Sequence, residues 1–480
     1  MPLKTSHMRV RNLLSKPIFL FTFIAVLIYS GNELWQVIAW PPFYSLDEVL
    51  DIDYIYRITQ GQLPEFYDGV SYNPLGLDYS GAVQWKYQHP PLFYILEAPI
   101  MMLFEQLGRP IAGIWAMRFF VYLLGILTVS FSGWAAYWIF GKRNNASLIV
   151  PLLVASNKCL QSVVFNYTLA TLWIILLTGF TARIIRTHLS RKAIVIWWLL
   201  IALAPLIRTS LIPITFLCLV IVVLSVVFQG KNVAQRLLVL ACIPVLVAFL
   251  DSAWFYVRLY RLSGNFTGSM PSWSTSHLGR RRRTFFEALT DLSFWKDSFS
   301  QYHNFSAEAT QYLGWFFVIV LTFIPLTVGI AAFIVHCCRS RTGRASSFTH
   351  EALISLLLLG MLGGTSLQQV LYYRQGGSTN PVYFSMISIA FASFIAFGLT
   401  AAPQLSRWVI PAWLGMRLCA LLLEMHNRWP ASAPANGHAE LGIYIAVAAV
   451  ILGTAWASML AGSRLTLESA VAVTTSNSAD

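Results

Sequence analysis

Apolar runs of roughly 17 to 22 residues recur along this chain from Ile18 to Leu460, each long enough to cross about 30 Å of hydrocarbon as a helix. Water is absent at that depth, so a spanning segment must close its own backbone hydrogen bonds, and helices are the reading for runs this long. A β-barrel would instead show short segments of alternating polarity. The runs number about twelve by eye. Of 480 residues, 57% are hydrophobic and only 11% charged, against about 25% charged in a soluble globular domain. The expected fold is therefore all-α, a polytopic membrane helix bundle of about twelve transmembrane helices.

The formal net charge of +13 reads as orientation and not as nucleic-acid binding. Lys4, Arg9, Arg11 and Lys16 precede the first span, which by the positive-inside rule keeps the N-terminus in the cytoplasm. Onward, every second connection is basic: Lys142-Arg143, then Arg183, Arg186, Arg191 and Lys192, then Lys231 and Arg236, then Arg339, Arg341 and Arg344, then Arg407, and finally Arg464. This pattern closes only with an even number of spans and both termini cytoplasmic, in a multi-pass protein of the plasma or endoplasmic-reticulum membrane. The first span, from Pro17, lacks a small-residue cleavage site and reads as a retained signal anchor. The six cysteines show no zinc or redox spacing and read as packed or lipid-facing. No metal-ligand spacing, phosphate-binding glycine loop or dinucleotide fingerprint occurs. Sequons at Asn166, Asn265 and Asn304 carry weight only if their loops face outward.

With that topology the polar sequence gathers in three extracytoplasmic connections, from about Trp40 to Gly113, from about Arg258 to Gln311 and from Tyr372 to Pro381. Loops on a rigid scaffold carry function, so the active face lies opposite the cytoplasm. Three regions result: 1–145, with the first span, the first large loop and the next span; 146–464, the rest of the bundle; and 465–480, a polar cytoplasmic tail expected to be disordered. In the first loop, Ser45-Leu46-Asp47-Glu48 fits a capping box and Val49, Ile52, Ile55 and Tyr56 follow at helical spacing. An amphipathic helix over 46–59 is expected to lie along the membrane surface. Pro91 opens a second amphipathic or re-entrant segment, Leu92 to Leu103, with His89 at its mouth. A further span runs from about Met117 to Phe140.

Acidic groups at a membrane edge are costly to keep there, which singles out Asp47. Burial would raise the pKa of its carboxyl and suit it to take a proton from a hydroxyl; the plain alternative is an acid favouring a helix N-terminus. Glu48 is explained as well by the capping box as by catalysis. His89, held between Gln88 and two prolines, suits a group that donates a hydrogen bond or proton without reorganising. Lys86 and Tyr87 beside it are either ligand-binding groups or interfacial anchors. Arg280, Arg281, Arg282 and Arg283 form the densest charge in the chain, suited to a phosphate or to anionic headgroups. Tyr373, Arg374 and Gln375 offer aromatic, cationic and amide groups to a phosphate or sugar, although tyrosines at a span end are also ordinary belt residues. Arg208 reads either as a functional intramembrane charge or as one that snorkels.

The order of Asp47-Glu48-Val49 after a first span, then His89-Pro90-Pro91-Leu92 before a surface or re-entrant helix, resembles the C-type membrane glycosyltransferases. The likeness is greatest to protein O-mannosyltransferases, which carry a similar Asp-Glu-Val and His-Pro-Pro-Leu; lipid A aminoarabinose transferases share the layout with Lys in place of the His. It covers about the first 145 residues, including Arg118, and the remainder only as a hydropathy pattern. The resemblance implies an inverting transfer of a sugar from a polyprenyl-phosphate donor to an acceptor glycan, lipid or protein on the far side of the membrane. Asp47 would be the general base, and Arg280 to Arg283 with Arg374 are physical candidates for the departing phosphate. No organic cofactor is implied. Gln88 stands where some relatives carry an acid, and the resemblance leaves a divalent metal open. Gln375-Gly376 matches part of a Gln-Gly-Arg-Tyr segment of relatives, but the Arg is missing. The competing class is a secondary transporter or flippase, which would place polar groups and broken helices at mid-membrane. In an accessory polytopic protein, Asp47 and His89 would be replaceable.

Overall fold

A computed structural model describes residues 17–43, 45–141, 145–187, 189–303, 311–340, 345–432 and 453. The basic residues Lys4 to Lys16, Lys142, Arg143, Arg341, Arg344 and Arg464, the sequon at Asn304 and the tail 465–480 lie outside the described residues. So does nearly all of the last apolar stretch before that tail. The described elements are all helical. Helix α1 (Pro17–Ala39) leads into α2 (Leu46–Thr59), a 3-10 turn (Trp85–Gln88) and α3 (Leu92–Gln106). Then come α4 (Pro110–Phe140), α5 (Ala146–Ala155), α6 (Tyr167–Arg186), α7 (Arg191–Ile207) and α8 (Leu211–Gln229). Helices α9 (Val233–Leu237) and α10 (Ile243–Ser263) are followed by the short α11 (Pro271–His277), α12 (Phe285–Thr290) and α13 (Leu292–Phe299). The remaining described elements are α14 (Gln311–Val318), α15 (Ile324–Ser340), α16 (Ala345–Arg374), α17 (Val382–Ser385), α18 (Ser388–Thr400) and α19 (Pro403–Ser432).

Among the described residues, seven helical stretches are long and apolar enough to cross a membrane, and two shorter apolar helices, α5 and α18, accompany them. The expectation of about twelve spans counts every apolar run as a crossing, including the last one, which lies almost wholly outside the described residues. At 10 residues, α5 rises only about 15 Å, half the hydrocarbon thickness. The expectation for the first loop is also corrected. Helix α2 occupies 46–59 as the cap and spacing predict, but every residue from Glu48 to Ile55 is buried, so it is enclosed by the bundle and does not lie on a surface with one face in water.

Helix α4 forms the axis, packed along α6 and against α1, α3 and α5. Two π turns, Leu238–Cys242 and Ile319–Phe323, each run into a proline, Pro244 or Pro325. A proline ring crowds the carbonyl four residues back and lacks an N–H, and one wider turn relieves both problems. Helices α15 and α18 cross at backbone contact. A Cβ on Gly329 would sit 1.8 Å from the Phe394 carbonyl oxygen, and one on Gly398 2.2 Å from that of Pro325. Small residues of this kind are how helices approach in lipid. Gly398→Ala is therefore expected to cost about 1–3 kcal/mol of stability through overpacking. Gly415→Ala, whose added carbon meets open space, should leave the melting temperature of the solubilised protein unchanged.

Past the end of α5 the chain runs without helix through 156–166 inside the bundle, and each turn of this segment finds partners. The Ser156 carbonyl accepts from Arg417 Nε at 2.9 Å, Asn157 donates to Gln301 at 3.0 Å, and Ser162 donates to Glu33 at 3.1 Å. Irregular backbone is tolerated within a membrane bundle when protein groups satisfy it in this way. The far end of the segment delivers Val164, Phe165 and Asn166 to the site described next.

Candidate active site

Helix α2 brings three acids to one end of the bundle because Asp47 and Asp51 stand one turn apart on the same face, with Glu48 beside them. The Ser45 hydroxyl accepts from the Glu48 amide at 3.3 Å, as the capping box predicts. The Glu48 carboxylate does not return to the cap. It takes Arg118 of α4 at 2.7 and 2.6 Å and the Val164 amide at 3.3 Å, and Arg118 further donates to the carbonyls of Trp40 and Pro41. Both side chains are buried. Glu48 is thus an anchor for α2 and not the second half of a capping box.

Asp53, two residues past Asp51, holds the first loop in place. It accepts from the amides of Ser71 and Tyr72, from Arg57 and from buried Gln84. Gln84 also donates to the Leu50 carbonyl and accepts from the Lys86 amide. The 3-10 turn is thereby fixed against α2, and Lys86, the next polar side chain on it, points inward.

Seven groups then form one continuous chain. Lys86 Nζ lies 3.0 Å from Asp47 and 3.1 Å from Asp51 Oδ2, the second contact lacking hydrogen-bond geometry. Asp51 Oδ1 lies 2.6 Å from the Tyr94 hydroxyl, which is 2.9 Å from His89 Nδ1. Asn166 Nδ2 lies 3.1 Å from the same ring nitrogen, and Asn166 Oδ1 accepts from Arg208. Arg208, at the C-terminal cap of α7, lies 3.4 Å from the centre of the Tyr167 ring. Tyr54 stacks on Tyr94 at 3.8 Å and donates to the His89 carbonyl at 3.0 Å, which sets the height of the imidazole. Lys86 and Asp51 are buried, while the Asp47 carboxylate is 53% exposed. A small molecule approaching this chain meets Asp47 first.

The electrostatics separate the two aspartates. Lys86 beside Asp47 holds its carboxyl below the usual range, against a smaller opposing effect of burial. This corrects the expectation that burial raises it: the side chain reaches solvent and has an ammonium against it. Asp51 behaves the other way, its carboxyl pushed up to about 6 by burial with Lys86 opposing. Burial, then Arg208 and Lys86, hold His89 well below the usual imidazole range. Pairs of acids driven apart in this manner are a recurrent mark of acid–base sites.

The remaining expected residues fall elsewhere. Lys86 is no snorkelling anchor, being buried between two aspartates. Tyr87 is buried and donates to the Gly268 carbonyl, joining the first loop to the second. Arg280 to Arg283 meet the Tyr373 to Gln375 stretch: the Arg283 amide donates to the Arg374 carbonyl at 2.9 Å, and the Arg283 guanidinium sits 4.0 Å from the Tyr373 ring. Tyr373 is otherwise committed to Asp291 and Arg281 to Glu287, while Arg282, Arg374 and Gln375 are exposed. This second cationic group has no hydrogen bond or ion pair to the Asp47 chain among the described residues. Asp51, Tyr94 and Asn166 were not singled out from the sequence. The four-residue step from Asp47 to Asp51 is the one signal that points to any of them. Among the described residues no group of three or more His, Cys, Asp or Glu is placed to hold a metal ion.

No protein-family profile and no curated protein sequence matches the chain. Solved structures do. ArnT from Cupriavidus metallidurans bound to undecaprenyl phosphate is similar at a TM-score of 0.50 and 16% identity, over 94% of this chain and 77% of that one. Its apo state gives 0.49 and 16%, over 92% and 76%. The oligosaccharyltransferase of Archaeoglobus fulgidus, in complex with Zn and sulfate, gives 0.46 and 16%, over 91% of this chain and 53% of the other. The chain thus has the fold of ArnT, the arrangement expected from the resemblance of its first loop to the C-type membrane glycosyltransferases.

Proposed function

We propose that the protein is a glycosyltransferase that moves a sugar from a polyprenyl-phosphate donor to an acceptor hydroxyl at the extracytoplasmic face of a membrane, with inversion. The observation that carries this reading is the exposed Asp47 carboxylate at the head of a buried chain of polar groups that ends in Arg208. In the reaction the acceptor oxygen forms a bond to the anomeric carbon as the carbon–oxygen bond to phosphate breaks. The hydroxyl proton passes to Asp47, and polyprenyl phosphate departs with the bonding electrons. Lys86 and Arg208, which add to burial in depressing the His89 pKa, supply the positive field that an incoming phosphate would meet. Arg280 to Arg283 with Arg374 form the outer cationic group that the donor would pass. A lipid-borne donor enters from the bilayer, so a nucleotide pocket is not needed. ArnT is the neighbour seen with undecaprenyl phosphate, which supports a lipid phosphate as the donor class.

One observation favours a carrier: Glu33, Asn32 and Ser162 form a buried polar cluster within the bundle, as transporters often do. Purified protein in detergent, where no compartments exist, separates the two. Release of labelled sugar from a polyprenyl-phosphate donor onto an acceptor is expected. Donor binding without turnover across a panel of acceptors would favour the carrier.

A further inference from the structure

The Tyr94 hydroxyl has one hydrogen and two close acceptors, Asp51 Oδ1 at 2.6 Å and His89 Nδ1 at 2.9 Å, while Asn166 Nδ2 donates to it at 3.5 Å. Which of them receives it is decided one step further along. Arg208 has only donors, and it meets Asn166 at Oδ1, so the amide nitrogen is the atom turned to His89 Nδ1 at 3.1 Å. Nδ1 must then be the acceptor, and the neutral ring carries its hydrogen on Nε2. An ionised Asp51 would compete with that nitrogen for a single hydrogen and leave one short contact with none. A proton on Asp51 Oδ1 resolves this, with Asp51 donating to Tyr94 and Tyr94 donating to His89.

We propose that Asp51, Tyr94 and His89 form a proton relay whose resident proton sits on Asp51. In the step, the proton on Asp51 Oδ1 moves to the Tyr94 oxygen while the hydrogen of Tyr94 crosses to His89 Nδ1. A neutral acid and a neutral imidazole become a carboxylate and an imidazolium, with no change in net charge. Lys86, 3.1 Å from Asp51 Oδ2, stands ready for the carboxylate. The imidazolium is stabilised when an anion reaches its Nε2–H; that this anion is the donor's phosphate rests on the proposed glycosyl transfer. The groups facing the relay agree on where the proton rests. Asp51 meets Lys86 of the 3-10 turn, Tyr94 of α3 and Asp47 of its own helix, and burial pushes it up to about 6. His89 is pushed down by burial first and then by Arg208 and Lys86, which it faces. Below about pH 6 the proton therefore rests on Asp51, and burial together with the two cations keeps it off His89.

Infrared spectroscopy of the purified full-length protein between about pH 4 and about pH 8 tests the resting state without any activity. A protonated-carboxyl band is expected below, and lost above, a midpoint near 6. It should be absent from Asp51→Asn and shifted in frequency in Tyr94→Phe, which keeps the ring that stacks on Tyr54. Glu97, a buried acid one turn along α3, contributes a band common to all three proteins that subtraction removes. No wild-type band assignable to Asp51 at about pH 5 would overturn the proposal. In the transfer reaction, Tyr94→Phe is expected to lower kcat about ten-fold or more with KM within about two-fold and a reduced solvent deuterium isotope effect. An unchanged kcat and isotope effect would refute the relay even with the band present. Absence of transfer by the wild type would count against the proposed function, while the spectrum still decides on Asp51.

Discussion

Asp47→Asn is expected to lower kcat for sugar transfer between about 10²- and 10⁴-fold, the range for losing a positioned general base. The fold should be unaffected, because the carboxylate is half exposed and Lys86, buried beneath it, keeps Asp51 3.1 Å away. Asparagine keeps the size and the hydrogen bond from Trp85 but accepts no proton. The substitution also removes the negative charge that helps to raise the Asp51 pKa, so the carboxyl midpoint should move below about 6. Kinetics and infrared spectra of one variant thus report on both aspartates. Full transfer activity in a correctly folded Asp47→Asn protein would end the assignment of this residue as base.

How far the sequence carries is best seen within α2. Its start at Ser45 and its length follow from a capping residue and a 3.6-residue period, both local properties of the chain. Its burial does not, because Glu48 and Asp53 are enclosed only when Arg118 and Gln84, 70 and 31 residues away, close on them. Asp47, Lys86 and His89 were legible because acids, bases and prolines gathered in one loop of an apolar chain. Asp51 was signalled only by its i, i+4 step from Asp47. Tyr94 looked like one more aromatic in an apolar run, and Asn166 like part of a sequon. Hydropathy likewise could not tell α5 from a crossing helix. It reports how apolar a run is, whereas the break at Ser156 is maintained by Arg417, Gln301 and Glu33 from three distant parts of the chain. What was missed in each case is a partner brought in by tertiary packing, on which local pattern is silent.

The anchor under the site provides the second large effect. Arg118→Met is expected to cost about 3–5 kcal/mol, because it leaves the Glu48 carboxylate buried without its counter-charge and frees the Trp40 and Pro41 carbonyls. Glu48→Met should cost a similar amount, since Arg118, wholly enclosed, would keep its charge and lose the acid. The double variant is the decisive one. Two methionines bury neither charge, so its loss should be well below the sum of the single losses and smaller than either alone. Reversible unfolding in mixed detergent measures all three, and strictly additive losses would show that the two side chains act independently. A partial loss of transfer activity is expected to accompany the double variant's recovered stability. Glu48 fixes the first turn of the helix that carries Asp47, and a shift of about 1 Å there is enough to slow a positioned reaction about 10²-fold.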